Sequence, residues 1–236
     1  MILSLLAIGI AAVGLALLGV SGPVYRISGS LPAAFAVLRW AAYIGLAGAA
    51  AGAIAGIFGF WKRKRSATAL ALVALVVGVT VGAIPYAWQR RAQNLPPIHD
   101  ITTDLDNPPA FEAVVPLRAD APNPLERPPI LTTQQREGYP DLAPLTMSLP
   151  PAVAFDRALA VAQDKGWEIV ASDRSSGRIE ATDTTFWFGF KDDVAIRLTP
   201  WGAGTRVDLR SVSRVGRGDV GTNARRIRDY LDALQD

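Results

Sequence analysis

WAAYIGLAGAAAGAIAGIFGFWKRKRSATALALVALVVGVTVGAIPYAW, residues 40–88, consists of two uncharged runs joined by one basic knot, Lys62-Arg63-Lys64-Arg65. Residues 40–61 and 67–88 each extend for 22 positions without a charge. A helix needs about 20 such residues to cross roughly 30 Å of hydrocarbon. In lipid only a helix or a closed barrel satisfies every backbone N–H and C=O. A third run, residues 2–20, carries no charge over 19 positions. Three membrane-spanning helices within residues 1–91 are therefore expected.

The charges outside these runs divide the chain into two materials. The first 99 residues hold no Asp or Glu and eight cations, Arg26, Arg39, Lys62, Arg63, Lys64, Arg65, Arg90 and Arg91. The remainder sets sixteen Lys and Arg against all 21 acids, a net −5, so the overall +3 describes neither part. An acid-free stretch whose cations punctuate apolar runs is a membrane domain, not a nucleic-acid arm. Met1-Ile2-Leu3-Ser4 offers no positive n-region, and Gly19-Val20-Ser21-Gly22 is no clear cleavage site, so the first run reads as a retained span. A cleaved signal peptide is the alternative, and the later two spans stand either way.

The positive-inside rule places the basic knot in the cytoplasm, with the N-terminus on the same side and everything after the third span outside. Arg90 and Arg91 oppose this bias with fewer charges. Trp40, Trp61, Tyr86 and Trp88 lie near span ends, where amphipathic rings favour the headgroup region. Gly48, Gly52 and Gly56 recur every four residues, as do Gly78 and Gly82, which permits close backbone approach between the second and third spans. The same glycine stripe is the alternative surface for other membrane proteins. No span contains an acid or His, which argues against a proton or cation pathway.

Residues 95–151 contain 13 of the 17 prolines. Proline lacks a donor and fixes φ, so long helices and central strands are excluded there. Residues 92–150 thus read as an extended strap whose apolar residues dock on a domain, with a disordered tether as the alternative. The soluble domain is placed at residues 151–236. A helix starts at Pro151 and ends before Gly166. Strands are expected at 167–172, 178–185, 194–199 and 206–213, separated by short polar turns that include Lys191-Asp192-Asp193. A last helix spans about residues 221–234. The fold class is α+β: three transmembrane helices, then an antiparallel four-stranded sheet flanked by two helices.

Four segments of this region carry a resemblance. Pro97-Ile98-His99-Asp100-Ile101-Thr102-Thr103-Asp104, Gly177-Arg178-Ile179-Glu180-Ala181-Thr182, Phe186-Trp187-Phe188-Gly189-Phe190-Lys191-Asp192-Asp193-Val194 and Val207-Asp208-Leu209-Arg210-Ser211-Val212-Ser213-Arg214-Val215-Gly216 resemble the DUF1499 family over residues 95–236. The resemblance implies a bacterial envelope protein, with plant relatives directed to the thylakoid lumen. It brings no established activity and no catalytic residues. The expected location is the bacterial inner membrane, with a periplasmic C-terminal domain.

The chain has no Cys and one His. His99 beside Asp100 is the one pairing that suits a hydrolase-like envelope enzyme, yet no Gly-x-Ser-x-Gly elbow accompanies it and no metal-ligand spacing is present. Gly216-Arg217-Gly218-Asp219-Val220-Gly221 matches a dinucleotide fingerprint, but too little chain follows to supply the next parallel strand. Asp219 is expected to cap the last helix, with an anion at that helix start as the alternative. Eight arginines between residues 197 and 228 face only Asp208 and Asp219. Strand parity separates Arg206, Asp208 and Arg210 from Val207 and Leu209. In Phe186-Trp187-Phe188-Gly189-Phe190, alternation sets the phenylalanines against Trp187, giving a two-sided aromatic strand or bulge. The resulting expectation is a noncatalytic module, without cofactor, metal or nucleic acid. It binds a lipid or amphiphile, or docks on a membrane complex, through Phe186, Trp187, Phe188, Phe190, Arg197, Arg210, Arg214 and Arg217.

Overall fold

Each uncharged run lies within a longer helix in the computed structural model, which describes residues 1–235. These helices are α1 (Ile2–Ser28), α2 (Leu31–Trp61) and α3 (Arg65–Asn94). All three are long and apolar enough to cross a membrane. Gly29, at φ 65°, closes α1, and Ser30 caps α2 by accepting from the Ala33 N–H at 3.3 Å. The connection from α2 to α3 occupies only residues 62–64.

The helices bury small residues and expose large ones. Ala7, Ala11 and Gly14 of α1, Gly45, Gly48 and Gly52 of α2, and Ala71, Ala74 and Gly78 of α3 are buried. Leu6, Val13, Ile54, Ile57, Val73 and Val76 are exposed. Water would drive the opposite arrangement; in lipid, helix association comes from close van der Waals contact between small residues. A Cβ at Gly78 would lie 2.3 Å from the Gly45 oxygen, and one at Gly48 would lie 2.7 Å from the Ala11 nitrogen. The expected glycine stripe is thus shared between two neighbours: Gly48 meets α1, whereas Gly52 meets Ala71 and Leu75 of α3.

Residues 1–91 form one compact unit together with Phe186–Gly189, and the remaining residues form a second. The second unit is built on a fully antiparallel sheet of β1 (Asp100–Thr102), β2 (Leu145–Met147), β3 (Glu168–Asp173), β4 (Arg178–Thr184), β5 (Lys191–Trp201) and β6 (Gly204–Ser213). Strand order is β1-β6-β5-β4-β3, with β2 also on β6. The sheet therefore has six strands, where four were expected. The additional two come from the proline-rich segment. β1 pairs with residues 210–212 and β2 with 205–207, so they lie end to end along the outer edge of β6. Three-residue strands are too short to show a period-2 pattern, and an edge position tolerates the surrounding prolines.

One face of this sheet receives α5 (Pro151–Asp164) and α6 (Thr222–Gln235), with Leu131 of α4 (Pro129–Gly138) in the same core. Tyr230 of α6 stacks on Trp167 at 5.1 Å and donates to the Ala158 carbonyl at 2.7 Å. The other face is covered by the proline-rich segment, with Phe111 and Val114 packed on Ala195 and Val212. Two expectations reverse at the β4–β5 connection. Lys191-Asp192-Asp193, read as a turn, begins β5, and the aromatic run, read as a two-sided strand or bulge, holds the turn.

Candidate functional site

The sheet face under the proline-rich segment is polar, because β4, β5 and β6 alternate as their sequence requires. Glu180, Asp193 and Asp208 project to this side and are fully or almost fully buried. Each holds a particular piece of chain. Glu180 accepts the backbone N–H groups of Glu112 and Val114 at 2.9 and 3.0 Å. Asp193 accepts from Arg118, from Arg214 at 2.8 and 3.0 Å, and from Thr182 at 2.7 Å. Asp208 pairs with Arg206 and Arg197 at 3.0 and 3.1 Å, and both arginines reach on to Asp104. Asp100 of β1 takes Arg210 in a two-point pair at 2.8 and 3.0 Å and also Arg127 at 3.0 Å. Burial by itself would raise the Asp193 pKa, but hydrogen bonds from Arg214, Thr182 and Arg118 more than offset it and hold the group below the usual carboxylate range.

Arg197, Arg210 and Arg214, three of the residues expected to bind a ligand, are thereby each joined to a different carboxylate. Arg217 is exposed, and its carbonyl lies 3.5 Å from His99 Nδ1. The Asp100 carboxylate is held by Arg210 and Arg127, so it does not orient the His99 ring. No cluster of three or more metal-ligating side chains occurs among the described residues.

The start of α6 is also occupied from within. Asp219 accepts the N–H groups of Gly221 and Asn223 at 2.9 and 2.6 Å, satisfying donors that an external anion would use. Burial raises its pKa against the lowering effect of these two bonds. Behind this cap, Arg226 bridges Asp192 and Asp183 at 2.6 and 2.8 Å.

The aromatic residues have a different environment. The Thr185 N–H donates to the Phe190 oxygen at 2.9 Å, and the Phe190 N–H to Thr185 Oγ1 at 2.8 Å, closing a four-residue turn over Phe186–Gly189. Gly189 adopts φ 73°, the left-handed conformation such a turn needs. Within the first unit, Trp187 Nε1 donates to the Gly19 carbonyl at 3.3 Å. Arg26 donates through Nε to the Trp187 oxygen at 3.1 Å and through Nη2 to the Phe186 oxygen. Trp88 meets the Trp187 ring at 5.4 Å, and Phe35 meets Phe188 at 6.1 Å. Gly22 makes room for this turn, since a Cβ there would fall 2.4 Å from the Trp187 oxygen. Phe188 is buried, whereas Phe186 is 95% exposed.

The four aromatic residues were thus singled out in the sequence, but their turn was not, nor was the role of Arg26. The available signal was the break in alternation at Gly189, two residues before a charged triplet that lies within a strand. Arg118, Arg127, Glu180 and Asp193 were missed because their partners come from other segments of the chain: Glu112 and Val114 for Glu180, Arg118 and Arg214 for Asp193, and Asp100 for Arg127. No curated protein matches the chain. Residues 100–234 match the family described as a protein of unknown function, DUF1499, and this match covers more than half the chain. The chain therefore belongs to the DUF1499 family and carries three long apolar helices ahead of the family domain.

Proposed function

We propose that this is a multi-pass protein of the bacterial inner membrane that presents its family domain in the periplasm as a noncatalytic module. Its N-terminus lies in the cytoplasm. It binds an amphiphile, or docks on another membrane protein, at the turn Phe186–Gly189. The observation that carries this reading is the contrast within that turn: Trp187 and Phe188 pack among residues of the apolar helices, and Phe186 stands 95% exposed beside them. A large apolar side chain held outward on an anchored turn suits a second apolar surface. The buried acids of the family domain support a structural rather than a catalytic use, since arginines or backbone donors hold them.

A photo-crosslinking phenylalanine analogue placed at position 186 in living cells tests this contact. Adducts with lipid or with a defined membrane protein are expected. The same probe at Trp201, a 56% exposed residue at the end of β5, is the control. Labelling at 186 no greater than at 201 would sink the proposal.

A further inference from the structure

Between α2 and α3, next to the basic knot, lies an open groove of about 490 Å³. Its floor is Gly56, which has no side chain to fill the space, beside Gly52, which is closed against Ala71 and Leu75; its walls are Ile57, Phe60, Leu72 and Leu75. The hydroxyl of Thr68 in its lining donates to the Lys64 carbonyl at 3.2 Å, so the surface offered is apolar. Phe60 and Trp61 stand 75% and 77% exposed at the end where α2 stops. There the groove meets Lys62, Arg63, Lys64 and Arg65, all exposed, and none in an ion pair among the described residues. The first turn of α3 begins at Arg65 and adds backbone N–H groups and the positive end of its helix dipole.

From this juxtaposition we propose that the groove holds an acyl chain of an anionic phospholipid whose phosphate sits on the Lys62-Arg63-Lys64-Arg65 knot. Charge selects the occupant. A second copy of the chain, packed in parallel through the same groove, would bring four more cations to the same level and repel. A zwitterionic lipid would fill the groove yet gain less from the knot, because polybasic segments at a membrane surface favour anionic headgroups. The volume falls in the ~300–1,000 Å³ range of ligand clefts. This site is independent of the Phe186 turn but rests on the helices lying in a bilayer.

The full chain in mild detergent, titrated with phosphatidylglycerol or with phosphatidylcholine of the same acyl composition and read by native mass spectrometry, tests the proposal. Phosphatidylglycerol should be retained preferentially. Gly56→Leu fills the groove from inside; a Cβ there meets only Ala71 Cβ at 3.7 Å, an ordinary contact, so the helices need not move. That variant should lose retention roughly tenfold, the effect of displacing about two methylenes. Replacing all four knot residues by Gln should abolish the headgroup preference. Gly9→Leu, on α1 where nothing lies within 4 Å, should bind as the wild type does. Equal retention of both lipids by the wild type, or undiminished binding by Gly56→Leu, overturns the proposal. Failure of the bilayer premise would show separately, as wild-type protein that stays in solution without detergent.

Discussion

Asp193 has a fully buried side chain and binds two arginines, Arg118 from the proline-rich segment and Arg214 just past the end of β6. Neutralising it would leave one buried cation, Arg118, and one partly buried cation, Arg214, without their counter-charge. Asp193→Asn is therefore expected to destabilise the family domain by about 3–5 kcal/mol, the range for breaking a buried pair from one side. Denaturant unfolding of the full-length protein checks this, and a loss under about 1 kcal/mol, the scale of an exposed pair, would contradict it. The pH dependence has a definite sign. A carboxylate whose folded pKa lies below its unfolded value contributes stability above the unfolded pKa and loses it as pH falls through the folded one. The wild type should lose stability on acidification below the ordinary Asp range, and Asp193→Asn should lose less over the same interval. At this scale the sequence misled: Lys191-Asp192-Asp193 has turn composition, and only arginines distant in the chain permit those acids to lie inside a strand.

Among the elements, the helices were legible and the short strands were not. Uncharged runs of about 20 residues specify membrane helices through backbone hydrogen bonding alone, without reference to tertiary contacts. β1 and β2 become strands only because the edge of β6 offers them partners, a fact that three residues cannot encode locally. The glycines lie between these cases, since their spacing announced close packing but not which neighbour each would meet. Gly78→Ala, whose Cβ would fall 2.6 Å from the Ala49 nitrogen, should force α2 and α3 apart and lower the thermal stability of the purified protein. Gly9→Ala, in open space, should leave it unchanged or slightly raised. Equal melting temperatures for the two variants would show that the glycine contacts contribute nothing.

For the whole molecule, the decisive quantity is the distribution of charge. The knot at residues 62–65 holds four cations in one turn. Arg26, Arg39, Arg90 and Arg91 near the opposite helix ends are equal in number but dispersed, and Arg26 is engaged by the carbonyls of Phe186 and Trp187. Density rather than count thus favours a cytoplasmic knot. With an odd number of spans, an alkaline phosphatase fused after residue 236 should be active, and one fused within the knot inactive. The reverse pattern would invert the proposed topology and move the family domain to the cytoplasm. What the sequence determined by itself is whatever one-dimensional composition controls: three apolar helices, the α+β class and the family. Tertiary structure alone decided the inward use of the arginines, the two edge strands on β6 and the turn that groups Phe186–Gly189 with the apolar helices. The physical reason is range. Backbone satisfaction in lipid is settled within one segment, whereas a buried charge or an aromatic turn is stabilised only by partners that the fold brings from elsewhere in the chain.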